Sequence, residues 1–176
     1  AVKIIDCVLS LNRHYERFVV PRVAAFQSRH PEVASCADLL AAIASAGHDG
    51  FARQSLGLND PRRAATIEGV AEHLAEAQTA FQGGTESDRL QAWAEWARPG
   101  DAYALEVRGF GVAGFQYLRM LFGADTVKPD VHIRRYVEGV LERPIGDVAL
   151  VGLVEAAGGR LGRRAADVDR ALWAAA

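Results

Sequence analysis

Apolar residues along this chain recur three and four positions apart, which is the spacing of a buried helix face. The clearest set is Ile67, Val70, Leu74, Ala77 and Phe81. Runs that alternate apolar and polar residues between turn residues, the signal of strands, are absent from the sequence. The pattern therefore predicts an all-α fold, with further helices near residues 2–11, 16–29, 35–46, 49–55, 86–97, 101–107, 113–122, 131–142, 147–157 and 164–174.

The helix that contains this apolar set carries its own start and stop signals. Asp60 is suited to the N-cap and Pro61 to the first helical position, and the helix is expected to end at Gly83-Gly84. Segment 82–85 is also the best candidate for a seam, but no change in composition accompanies it. We therefore expect one continuous unit over the whole chain.

Composition narrows the class of protein. Half of the 176 residues are apolar, which is enough to build a core and excludes a wholly disordered chain. No apolar run reaches the roughly 18 residues of a membrane helix, and the first residues lack the pattern of a signal peptide. Cys7 and Cys36 are too few for a disulfide framework or an iron–sulfur site. We therefore expect a cytoplasmic protein with reduced cysteines and no membrane partner.

The charge balance permits nucleic-acid binding only through a local basic surface, because 20 basic and 22 acidic residues give a net charge of −2. Residues 107–135 have such an excess, with five basic residues against two acidic ones. The basic residues are Arg108, Arg119, Lys128, Arg134 and Arg135. Each of them could equally be a solvated surface charge, and for Arg119, which lies on an apolar helix, we expect this.

Two glycines between predicted helices stand out in the same stretch. Gly109 and Gly111 allow a tight hairpin that leaves backbone amides exposed at the start of the next helix, an arrangement suited to a phosphate. A simple helix–helix turn that requires a positive φ would use the same residues. Asp130 follows Gly111 by 19 residues and opens another predicted helix.

This block resembles the helix-hairpin-helix base-excision DNA glycosylases (the HhH-GPD superfamily), which include endonuclease III. Members carry a hairpin of the form Leu-Pro-Gly-Val-Gly, an apolar helix, and then Val-Asp-Thr-His leading into a helix with an arginine. Here residues 107–111 match the hairpin, Asp130 the catalytic aspartate, His132 the histidine and Arg135 the arginine. The resemblance implies a two-lobed helical bundle with a helix-hairpin-helix over 101–122, in which the N- and C-terminal helices form the second lobe.

Fainter matches extend the resemblance over most of the chain. Residues 8–12 look like a family segment whose last polar residue, here Asn12, fills the space left by an extruded base. Residues 56–59 look like the loop that supplies an apolar wedge, which assigns that role to Leu58. Segment 167–173 is similar to a late helix of several members. Asn12 has an alternative interpretation as a residue that ends a helix.

The resemblance assigns chemistry to these positions. Breaking the bond between base and sugar builds positive charge on the sugar, and Asp130 would stabilise it and orient or deprotonate the attacking water. Gly109 and Gly111 would cradle a backbone phosphate, with Arg108, Ala113, His132 and Arg135 also at the DNA. The alternative for Asp130 is an ordinary helix N-cap.

Departures from the family pattern limit the reaction type and the cofactors that we expect. The lysine with which some members nick the strand is replaced by Ala113, so we expect a monofunctional enzyme that uses water. Four late cysteines are missing, which excludes the iron–sulfur subfamily, and the scattered histidines show no metal-ligand spacing. We expect no metal site and no required cofactor, although the resemblance allows a monovalent cation at the hairpin.

The resemblance places one further pair of arginines, and helical spacing predicts the surroundings of two tryptophans. Arg62 and Arg63, after the wedge loop, would lie on the DNA side in the family's fold. Trp93 and Trp96 lie one turn apart on a helix, and we expect both to pack in the core.

The sequence therefore predicts a monomeric, nucleoid-associated DNA glycosylase of base-excision repair. It would hydrolyse the N-glycosidic bond of a flipped-out damaged or mispaired base in double-stranded DNA. A non-catalytic helix-hairpin-helix relative that binds DNA is the alternative, and a helical protein without a DNA role is a third. Alkylated, deaminated and oxidised bases all stay open as substrates.

Overall fold

The computed structural model describes residues 1–175 and confirms the all-α class, with no strand among the residues it describes. Short π and 3₁₀ turns connect several of the helices. The α-helices of this described part are α1 (Val2–Ser10), α2 (Val20–Arg29), α3 (Cys36–Gly50), α4 (Pro61–Ala77), α5 (Glu86–Trp96), α6 (Val112–Leu121), α7 (Val131–Leu141), α8 (Asp147–Arg160) and α9 (Ala165–Ala175).

The chain divides into two units at a place that the sequence did not indicate. The first unit comprises Ala1–Trp93 together with Val107–Gly109, and the second comprises Ala94–Glu106 and the chain from Phe110 onward. The expected seam at 82–85 lies inside the first unit. The N-terminal helix belongs to the first unit and the C-terminal helix to the second, so these helices do not share a lobe as the resemblance implied.

The first unit is built on α4, which packs against both α1 and α3. The predicted start of α4 is confirmed, because the Asp60 side chain accepts the Arg62 N–H and Pro61 occupies the first helical position. Its apolar face is buried as the periodicity predicts as far as Leu74, with Ile67 and Leu74 fully enclosed. The helix ends at Ala77, however, and not at Gly83-Gly84. Burial of such side chains contributes about 1.5–3 kcal/mol each to stability.

The two cysteines are buried in the core of the first unit, and neither forms a disulfide bond. The backbone N–H of Cys36, at the start of α3, donates to the Glu86 carboxylate at 3.1 Å. Burial, reinforced by the nearby Glu86 charge, raises the pKa of the Cys36 thiol to about 12. This thiol therefore stays protonated at neutral pH, which makes it a core residue and not a nucleophile.

The second unit has its own core, to which α7, α8 and α9 contribute and which the loop before α7 completes. The buried residues are Val127, Ile133, Val137, Leu150, Val151, Val154 and Ala165. Val168 and Leu172 of α9 pack on this cluster. This packing seats α9 beside the first turn of α7, which is where Asp130 lies.

Among the residues that the structure describes, no helix combines the length and the apolar character needed to span a membrane.

Candidate active site at the start of α7

Asp130 is the N-cap of α7. This is the role that the alternative interpretation of its sequence position predicts. Its Oδ1 accepts the backbone N–H groups of His132 and Ile133 at 2.9 and 3.0 Å. Both bonds end on the same oxygen, and Oδ2 has no hydrogen-bond partner among the described residues. The residue is half-buried. One oxygen therefore fixes the carboxylate on the helix, and the other is available for chemistry.

Residues 128–130 form a turn that is contacted by side chains of both α6 and α9. The N–H of Asp130 donates to the carbonyl of Lys128 at 2.7 Å, and the N–H of Lys128 donates to Oδ1 of Asp169 at 3.0 Å. The Lys128 ammonium lies over the Tyr117 ring, 4.5 Å from its centroid. Side chains of α6 and α9 thus fix the backbone from which Asp130 projects.

Asp169 is a second carboxylate at this site, and sequence reasoning missed it. Its Oδ1 accepts the N–H of Lys128, two residues before Asp130. The pKa of Asp169 is raised, first by burial and then by the negative charge of Asp130. The sequence signal that could have indicated Asp169 is the resemblance of segment 167–173 to a late helix of several helix-hairpin-helix glycosylases. That segment also contains Asp167, which is exposed and pairs with Arg170 at 3.7 Å.

His132 and Arg135 both lie on the exposed side of α7. The His132 ring packs edge-on against Trp173 of α9, with centroids 5.9 Å apart. Arg135 makes no hydrogen bond or ion pair with the part of the chain that the structure describes. Its neighbour Arg134 is bound instead to the Ile145 carbonyl and the Asp147 carboxylate. Arg135 is therefore the arginine of this pair that a ligand could reach.

The glycine hairpin precedes α6, but the element before it differs from the prediction. Residues 101–107 were expected to be helical, whereas the structure has 3₁₀ turns over Pro99–Ala104. Gly109 adopts a φ of +80°, which favours glycine, and Gly111 is the N-cap of α6. The hairpin therefore has one α-helical arm, the one that carries half-buried Ala113 in its first turn.

The side chain of Arg108, in the same hairpin, is exposed. Its carbonyl accepts the Thr66 hydroxyl of α4 at 3.2 Å, a hydrogen bond within the first unit. The guanidinium itself has no partner among the described residues. It is thus free to meet an anion.

The two remaining predicted contacts, Asn12 and Leu58, belong to the first unit. Asn12 is exposed just after α1 and has a φ of +55°, the left-handed conformation of a residue that follows a helix end. Leu58 is only 9% exposed, and its N–H donates to the Ala52 carbonyl at 2.8 Å. A wedge role for Leu58 would require its loop to open, so its position in the core fits a packing role.

One of the two arginines assigned to the DNA side has an internal role. Arg63 extends back to the end of α1, where its guanidinium donates to the carbonyls of Val8 and Leu11, the latter at 2.8 Å. Arg63 thereby supplies side-chain donors to carbonyls at the end of α1, of which that of Val8 also accepts the Leu11 N–H. Arg62 stays exposed.

The sequence predicts that Arg119 is a solvated surface charge. The structure contradicts this prediction, because Arg119 is only 5% exposed. Its Nε donates to the Ala94 carbonyl at 2.9 Å and its Nη1 to Oε1 of Gln116 at 2.8 Å. The Gln116 amide then donates to the Thr126 hydroxyl, and this hydroxyl donates to Glu155 at 2.7 Å. A directed chain of hydrogen bonds thus links a buried cation to a carboxylate inside the second unit.

The prediction for the tryptophans is half right. Trp93 is 3% exposed and belongs to the core, whereas Trp96 is 64% exposed at the end of α5. Among the residues that the structure describes, no group of three or more His, Cys, Asp or Glu side chains could hold a metal ion.

Comparison with known proteins identifies a family without an assigned function. The model of a domain of unknown function, DUF8548, matches residues 1–176, and the chain belongs to this family. No curated protein and no solved structure matches the chain significantly.

Proposed function

We propose that this protein is a monofunctional DNA glycosylase, which hydrolyses the N-glycosidic bond of a flipped-out damaged or mispaired base. The observation that carries the proposal is the free Oδ2 of Asp130 on a carboxylate anchored through Oδ1 to the first turn of α7. The order of hairpin, apolar helix and capping aspartate supports it through the resemblance to helix-hairpin-helix glycosylases.

The proposed reaction needs a fixed negative charge beside the sugar. Cleavage of the N-glycosidic bond leaves positive charge on the sugar ring, and a preorganised carboxylate stabilises this charge. Oδ2 of Asp130 would face the sugar and receive a proton from the attacking water, whose oxygen forms the new bond to the sugar carbon. The departing base leaves with the electron pair of the broken bond and takes up a proton from solvent, while Asp130 returns its proton to solvent. The products are a free base and an abasic site.

The position of Ala113 limits the reaction to hydrolysis. A lysine at this place in the first turn of α6 would attack the sugar and lead to strand cleavage, but alanine has no nucleophile. Water is then the attacking group, and the DNA strand should stay intact until alkali breaks it at the abasic site.

The hairpin glycines support the approach of a DNA phosphate. Gly111 has a φ of −99°, which any residue adopts, and a Cβ added there would meet no protein atom within 4 Å. The packing of the protein itself therefore does not require a glycine at this position. A ligand that comes close to the backbone amides of α6 would require one.

This argument predicts different effects for two neighbouring substitutions. Gly111→Ala should leave the free energy of unfolding within about 0.5 kcal/mol of wild type but weaken binding to duplex DNA about tenfold. Gly109→Ala should cost about 1 kcal/mol of stability because of its positive φ. Urea unfolding and fluorescence-anisotropy titration with a labelled duplex measure both quantities. Equal DNA affinity of Gly111→Ala and wild type would remove the hairpin from the proposed interface.

The function itself is tested by base release. Wild-type protein is incubated with duplexes that carry a single uracil, hypoxanthine, alkylated purine or 8-oxoguanine, and products are separated with and without alkali. We expect strand breaks at one lesion class only after alkali treatment. Breaks without alkali would show that the protein also cleaves the DNA strand, which contradicts the expectation from Ala113, a residue without a nucleophile. Tight binding without base release from any duplex would instead support the non-catalytic DNA-binding alternative.

A further inference from the structure

The turn that presents Asp130 depends on a residue 39 positions later in the chain. Oδ1 of Asp169 accepts the Lys128 N–H, and the Lys128 carbonyl accepts the Asp130 N–H. Two hydrogen bonds of 3.0 and 2.7 Å therefore connect the α9 carboxylate to the backbone of Asp130. The only side chain in this connection is that of Asp169.

From this geometry we propose that Asp169 is a positioning residue for Asp130, which holds the turn 128–130 so that Oδ2 of Asp130 faces the reacting sugar. This inference rests on the proposed function, since it assigns Asp169 a task in the same reaction. Asp169 acts through the backbone and does not touch the substrate. Loss of its acceptor oxygen would let the turn move, and small displacements of a reacting group lower rates strongly.

The charges around Asp169 explain why this position carries an acid. The ionised carboxylate is a stronger acceptor for an N–H than a neutral amide is, but it lies partly buried near the negative Asp130. Lys128 and Arg170 are the cations that face it. Burial and Asp130 together raise the pKa of Asp169, so an ionised acid here has an energetic cost.

The test compares two abasic-site analogues, so that it does not depend on knowing the lesion. One duplex contains a pyrrolidine nucleotide, which is protonated and mimics the cationic sugar. The other contains tetrahydrofuran, which is neutral and has a similar shape. The ratio of the two dissociation constants measures how well the Asp130 charge meets the sugar, because a transition-state mimic binds more tightly than a neutral analogue. Wild type should prefer the pyrrolidine duplex by about a hundredfold.

Three variants separate the effect of the Asp169 acceptor from effects of other changes in α9. Asp169→Ala removes both the acceptor and the charge, and should lower the preference at least tenfold with little change in affinity for the tetrahydrofuran duplex. Asp169→Asn keeps an acceptor and should retain most of the preference. Asp167→Ala, a matched control from the exposed face of the same helix, should behave as wild type. Circular dichroism melts establish which variants are folded. If Asp169→Ala is unfolded, Asp169→Leu, which also has no acceptor oxygen, takes its place with the same expected loss of preference.

The outcomes separate this inference from the proposed function. An unchanged preference in a folded Asp169→Ala would overturn the positioning role and leave the glycosylase proposal in place. Weaker binding to both duplexes by the same factor would assign Asp169 a general structural role, which also overturns it. A wild-type protein without any preference for the pyrrolidine duplex would contradict the proposed function and the inference together.

Discussion

Asp130→Asn should reduce base release by about 10²–10⁴-fold while the protein stays folded and binds DNA almost as wild type does. Asparagine caps helices as well as aspartate, so its Oδ1 can still accept the His132 and Ile133 N–H groups. The change removes the negative charge and the ability to take a proton from water, and each of these is a large part of catalysis. Single-turnover base release from the lesion duplex gives the rate.

Asp130→Ala separates the cap from the chemistry. It should be as inactive as Asp130→Asn but less stable by about 1 kcal/mol, because it also loses the cap bonds. Asp167→Asn is the control, since it removes a carboxylate from an exposed position without a role in the site. Base release by Asp130→Asn at the wild-type rate would show that the carboxylate is only a cap, and the proposed mechanism would then fail.

Arg119→Met should have the largest effect on stability, lowering the free energy of unfolding by about 3 kcal/mol. The substitution keeps the apolar stem but leaves the Ala94 carbonyl and the Gln116 amide oxygen in the interior without their donor. Each unsatisfied buried acceptor costs about 1–3 kcal/mol. Urea unfolding followed by tryptophan fluorescence measures the change.

Arg164→Met is the matched control for this loss. Its side chain is 67% exposed and pairs with Asp125 at 3.7 Å, and exposed pairs contribute about 0–1 kcal/mol. We expect its free energy of unfolding to stay within about 0.5 kcal/mol of wild type. If Arg119→Met is no less stable than Arg164→Met, the buried chain of hydrogen bonds does not stabilise the second unit.

The elements that sequence predicts well are those whose signals are local. The start of α4 follows from Asp60 and Pro61, and the start of α7 follows from Asp130, because caps act within one helical turn. The break predicted between residues 46 and 49 corresponds to Gly47, whose φ of +67° interrupts α3. In each case the residues that decide the structure are adjacent in the chain.

The predictions that failed depend on partners far away in the chain. Arg119 interrupts an apolar face and therefore looks solvated, yet its partner Ala94 is 25 residues distant and comes close only in the folded unit. Spacing alone assigned Trp96 to the core with Trp93, although α5 ends at Trp96 and leaves its ring outside. The sequence does not distinguish Asp169 from Asp167, because the choice depends on which face of α9 packs on α7.

The return of Val107–Gly109 to the first unit bears on the order in which the protein can fold during synthesis. A Cβ on Gly69 of α4 would lie 3.0 Å from Val107, so α4 carries a glycine where the returning segment packs. The first unit therefore lacks three of its own residues until the ribosome has made residue 109. By then the segment 94–106 has also been made, so the nascent chain holds part of the second unit before the first is complete.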